Sequence, residues 1–136
     1  MSEINNIEFF KASELDSNIK ATVHTSGKLG FSRNAEKKLG LEEARSIRIG
    51  RTNDFEKSRN LFLLVQDKED IDGFSVLKAG EYYYANTKPL FDMLGEAYDK
   101  DKIIYDITEV NLGDLKIFKL KRRVKERKKN QQEAED

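Results

Sequence analysis

The stretch Gly27-Lys28-Leu29-Gly30-Phe31-Ser32-Arg33-Asn34-Ala35-Glu36-Lys37-Lys38-Leu39-Gly40-Leu41 compresses a turn, a strand, a helix start and a helix stop into fifteen residues. Thr25-Ser26-Gly27 turns the chain, and residues 28–31 read as a strand with Leu29 and Phe31 on one face. Ser32 has the hydroxyl that accepts from a free amide of the first helical turn. Glu36 lies four residues on, which misses the three-residue spacing of a capping box. Ala35 and Leu39 share a helix face, Gly40 offers the positive φ that stops the helix, and Leu41 follows as its apolar contact. A chain that must turn twice so quickly can build only small, closely connected elements around this segment.

Short strands lie on either side. Residues 20–24 alternate with Ala21 and Val23 inward, and residues 45–51 alternate with Ile47 and Ile49 inward. Thr52 to Arg59 is polar and reads as a loop. The run Leu61-Phe62-Leu63-Leu64-Val65 predicts a strand over 60–66 that is buried on both faces. Asp67 to Gly73 is an acidic turn. The order then repeats: a strand over 74–78, a turn at Ala79-Gly80 and a strand over 81–85. A helix follows, capped by Asn86 or Thr87 and carrying Pro89 in its first turn. Leu90, Met93, Leu94, Ala97 and Tyr98 fall on one face of it, and Gly95 weakens its middle and offers an early end. Ile103, Tyr105 and Ile107 alternate in the next strand, and residues 115–120 form the last. Gly27 to Ser32 aligns with Gly80 to Ala85, and Leu39-Gly40 with Leu94-Gly95 after a two-residue insertion. The expected fold is α+β, mostly β, made of two ββαββ units over 20–66 and 73–120.

Outside that domain, residues 1–19 read as an appended segment that packs on it, with Ile7 and Phe9 in a short edge strand. Residues 121–136 contain two apolar side chains, too few to offset chain entropy, so a disordered tail is expected. The net charge of zero conceals strong segregation: −3 over 1–19, +5 over 20–59, −7 over 60–115, +8 over 116–129 and −3 over 130–136. A basic first half and a basic tail suit an anion-binding surface.

Several functions find no support in the residues. There is no cysteine, so disulfides, thiolate metal sites and cysteine nucleophiles are excluded. No Ser/His/Asp set, zinc motif or phosphate loop is present, and neither an enzyme nor a cofactor is expected. Asp67, Glu69, Asp70 and Asp72 lack the spacing and closing Glu of a calcium loop. His24, the one histidine, reads as a surface residue. No apolar run reaches the ~20 residues that span a bilayer, and no signal peptide is read at the N-terminus, so a cytoplasmic protein without membrane partners is expected. Tyr82, Tyr83 and Tyr84 suggest either a stacking platform for single strands or, on one strand, mainly core residues; the core is the expectation.

The first unit resembles the AbrB/MazE swapped-hairpin family of small bacterial DNA-binding proteins. Gly27-Lys28-Leu29-Gly30-Phe31-Ser32 stands for that family's glycine-to-proline strand, Leu39-Gly40-Leu41 for its helix end, and Ile47 and Ile49 for the strand that follows. Two chains interleave to make one barrel in that family. The resemblance therefore implies a covalent pseudo-dimer here, itself a monomer or a homodimer. It further implies a transcription-regulator or antitoxin type of DNA binding. Lys20, Lys28, Arg33, Lys37, Lys38, Arg48 and Arg51 lie on the turn, helix and strand of the implied DNA face, and Lys121, Arg122 and Arg123 open the basic tail. This chain departs from the pattern with Glu36 on the helix, Ser32 for proline, Lys28 for arginine and Glu81 opposite Lys28 in the second copy. A solvated charged face is the plain alternative for these residues. A protein-interaction or assembly module without DNA binding is the alternative function.

Overall fold

The computed structural model describes residues 6–10 and 19–127. Strands β1 (Lys20–Val23) and β2 (Leu29–Phe31) form a hairpin, and helix α1 (Arg33–Leu39) follows at once. The Ser32 hydroxyl accepts from the Ala35 amide at 3.2 Å, and Gly40 closes the helix with φ of 69°. A single 3-10 turn (Leu41–Glu43) leads to β3 (Ser46–Gly50). A short helix α2 (Phe55–Ser58) interrupts the expected loop before β4 (Leu61–Gln66). Beyond the acidic turn come β5 (Phe74–Ser75), β6 (Leu77–Ala79), β7 (Tyr82–Ala85), helix α3 (Lys88–Met93), β8 (Asp101–Glu109) and β9 (Ile117–Glu126).

The strands pair in the order β5-β3-β4-β9-β8-β1-β2-β7-β6, antiparallel throughout. β5 and β6 lie at opposite ends of that order yet are separated in sequence by Val76 alone, whose amide donates to the Arg45 carbonyl at 3.0 Å. The sheet is therefore mostly β and nearly closed into a barrel, which leaves little open edge to attract another chain. Its interior holds Ala21, Val23, Leu29, Phe31, Ile47, Leu63, Ile103, Tyr105, Ile107, Phe118 and Leu120, with Ala35, Leu39 and Leu41 packed in from α1 and its stop. No helix among the described residues is long and apolar enough to cross a membrane.

Four expectations need correction. β4 is not buried on both faces: Leu61 and Leu63 are buried while Phe62 and Leu64 are half-exposed, because only one face meets the barrel interior. The second helix does not present the expected stripe. It ends at Met93, and Gly95 turns the chain with φ of 74°, so residues 97 and 98 lose phase with it. Met93 is exposed, and Phe91 is the buried anchor. The expected tail is in part a strand: β9 runs through Glu126, paired residue by residue with β8 as far as Asp101. Alternation, not apolar content, is what a strand at the mouth of a barrel requires; residues 128–136 lie outside the described residues. Finally, residues 7–10 form no edge strand, and Ile7, Phe9 and Phe10 are exposed, whereas Ile19 packs against the core; residues 1–5 and 11–18 lie outside the description.

Candidate nucleic-acid interface

Because strand side chains alternate, the face of β9 opposite the core carries every second residue: Lys119, Lys121, Arg123 and Lys125. The register sets Lys121 beside Asp106, Arg123 beside Ile104 and Lys125 beside Lys102 on β8. It then sets Lys20 beside Asp106 and Thr22 beside Ile104 on β1. Six cations and one carboxylate thus share the outer face of three adjacent strands. The carboxylate, Asp106, is taken by Arg123 in a forked pair at 2.7 and 3.3 Å. Lys20, Lys102, Lys119, Lys121 and Lys125 stand in no ion pair among the described residues. Partial burial, then Arg123, Lys102 and Lys125, hold the Lys20 ammonium below its ordinary value. Like charges so close raise the potential of the face and favour an anion over it.

The same outer face continues across β1, β2 and β7. Thr22 is beside Gly30, and Gly30 beside Tyr84. The Tyr82 side chain lies across the sheet over Gly30 and is hydrogen-bonded to His24 Nε2. A Cβ on Gly30 would fall 1.4 Å from the Tyr82 hydroxyl oxygen, so glycine is what admits that ring. Tyr82 and Tyr84 stack at 6.2 Å with planes 16° apart, and Lys28 Nζ sits 4.7 Å from the Tyr84 ring centre. Burial, then the Glu36 carboxylate, push the Tyr82 phenol up, so it is neutral at physiological pH. Of the three tyrosines only Tyr83 packs on the core cluster. The expectation that two are core is corrected, because Tyr82 and Tyr84 share the outer face.

The residues singled out from sequence do not form one face. Lys20, Lys121 and Arg123 converge as described. Arg122 points the other way, into the barrel mouth, where its Nε and Nη2 donate to Glu96 at 2.9 and 2.6 Å. Arg33 pairs with Glu81 at 3.2 Å, Lys38 with Glu109 at 3.6 Å and Arg48 with Asp70 at 3.2 Å. The Asp72 amide, then Arg48, hold Asp70 below the usual carboxylate range, which gives that turn a structural explanation. Arg51 lies over the Phe55 ring at 5.3 Å. Lys37 is exposed on the outer side of α1. Glu36, the departure from the family pattern, accepts from the Tyr83 amide at 3.2 Å and so ties α1 to β7.

Lys102, Lys119 and Lys125 lie on this face and are not singled out by the sequence, whereas Tyr82 and Tyr84 are weighed there as a stacking platform and read as core, and His24 reads as a surface residue. The alternation Lys119, Lys121, Arg123, Lys125 was the available signal, masked by the low apolar content after residue 120. Among the described residues no three His, Asp or Glu side chains converge to hold a metal ion. What the fold and site define is a nearly closed β-barrel with a cationic and aromatic outer face. No protein-family model, curated protein or solved structure matches the chain.

Proposed function

We propose that this protein binds DNA, with the outer face of β1, β8 and β9 contacting phosphates. The observation that carries the reading is the row of Lys20, Lys102, Lys119, Lys121, Arg123 and Lys125 around a single, already paired carboxylate. Phosphate contacts supply most of the affinity and none of the sequence reading, which suits a face of lysines. The chain is read as two swapped-hairpin units joined covalently. Exchanging β1 for β5–β6, β2 for β7, β3 for β8 and β4 for β9 turns each strand pairing into another pairing that exists, which supports this reading. The paired Arg33, Lys38 and Arg48 move the contact surface from the first unit, where the resemblance put it, to the β1–β8–β9 face.

Fluorescence anisotropy with a labelled duplex, titrated over ionic strength, tests the reading. Five unpaired lysines predict a slope of log K against log salt of about −4 to −5. The double substitution Lys102→Glu, Lys125→Glu is expected to reduce that slope by about two in magnitude while the melting temperature holds. Absence of binding to any nucleic acid at low salt would overturn it and favour the protein-interaction module.

A further inference from the structure

We infer that the preferred ligand of this face is single-stranded DNA, its phosphates on the β8–β9 lysines and its bases stacked on the Tyr82–Tyr84 pair. The inference rests on the DNA-binding reading above and specifies its ligand. One register row crosses the whole surface: Arg123, Ile104, Thr22, Gly30, Tyr84. It contains no acidic side chain. At roughly 4.8 Å per strand, four steps separate its cationic end from its aromatic end by about 19 Å, the reach of a few nucleotides. Ile104, Thr22 and Gly30 lie between those ends, Ile104 is buried, and Tyr82 is laid across the sheet instead of standing out from it. The surface is therefore low where a strand must cross and charged where its backbone must rest.

Charge complementarity decides the occupant. An acidic peptide would satisfy the lysines but would leave the tyrosine pair without a planar partner. A duplex hides its base faces in its own stack. A single strand offers both a polyanionic backbone and open π-faces, and stacking on an aromatic ring tolerates any base. Lys28, poised over Tyr84, is a flexible cation able to move from the ring to a phosphate as a base arrives. Glu81 is the acid nearest the aromatic end in sequence, and it is engaged by Arg33.

The full chain contains no tryptophan, so Tyr84→Trp supplies a single reporter. An oligothymidylate of about fifteen nucleotides is expected to quench its emission, and to bind at least tenfold more tightly than a hairpin duplex of similar charge. Tyr84→Leu keeps apolar bulk without a π-face and should weaken oligothymidylate binding about tenfold. Tyr84→Phe should bind like the parent, and circular dichroism melts of each variant verify that the fold is kept. Equal affinity for duplex and single strand, with Tyr84→Leu indistinguishable from Tyr84→Phe, would overturn the inference and leave DNA binding standing. Failure of both ligands to bind would overturn the DNA reading with it.

Discussion

Glu96 joins three parts of the chain at the barrel mouth. Its side chain is 1 % exposed and takes Arg122 at 2.6 Å and Arg59 at 3.4 Å; Arg59 also donates to the Leu94 carbonyl and lies over Phe55. Glu96→Gln would leave two partly buried guanidinium groups without a counter-charge. A loss of about 3 kcal/mol is expected from urea denaturation, the lower end for broken buried pairs because both arginines keep some solvent access. Gly27 is constrained twice, by φ of 90° and by Lys88 Cβ, which lies 2.7 Å from any Cβ placed there; its carbonyl also accepts from the buried Thr87 hydroxyl. Gly27→Ala should destabilise by about 2 kcal/mol in the same assay. Asp92 is a pH-sensitive contact. Lys88 at 2.8 Å, then Tyr98 at 2.5 Å, hold its carboxyl below the usual range. A depressed carboxyl contributes stability above its unfolded value of about 3.9, and that contribution is lost as pH falls through the folded value. The stability advantage of the parent over Asp92→Asn should thus be full at neutral pH and shrink as the pH falls below about 3.9, as read by denaturant titrations across that range.

Among the elements, β9 carries more than its composition suggests. Its first residues close the core with Phe118 and Leu120, its middle sends Arg122 to Glu96, and its outer face holds the lysines of the proposed interface. A chain ending at residue 120 would strip β8 of a partner from Asp101 to Asp106 and leave Glu96 buried beside Arg59 alone. We expect its melting temperature to fall by at least 10 °C in differential scanning calorimetry, whereas a chain ending at residue 127 keeps every β9 pairing. The disordered tail expected from residue 121 overlooks the period of the sequence. Lys-Arg-Arg-Val-Lys-Glu looks like a solvated run until alternate residues are assigned to two faces, and only β8 fixes which residues share one.

For the whole molecule, half of the distinct strand pairings join the two halves of the chain: β1 to β8, β2 to β7, β3 to β5 and β4 to β9. Each half keeps only its own hairpins, and isolated hairpins are marginal in water. Residues 19–72 and 73–127, produced separately, are expected to show little cooperative unfolding by circular dichroism and to recover a sharp transition on mixing. Two independently cooperative halves would contradict this. The segregation of charge along the chain is also resolved at this scale, since folding brings acids of the second half onto cations of the first in Arg33–Glu81 and Lys38–Glu109.

The residues from Gly27 to Leu41 were legible because every constraint there is local: a turn, a serine cap, a four-residue helix spacing and a glycine stop each act within one or two turns of chain. Inward positions such as Ala21, Val23, Leu29, Ile47 and Ile103 followed from period two for the same reason. What tertiary structure alone decided was which strands became neighbours. Register across β9, β8, β1, β2 and β7 links residues up to a hundred positions apart, and it gathered Lys125, Lys102, Thr22 and Tyr84 on one face while turning Arg122 away. Glu36, a departure from the expected DNA face, became a hydrogen-bond acceptor for β7. Local chemistry specified the elements of this protein; long-range pairing chose its surface.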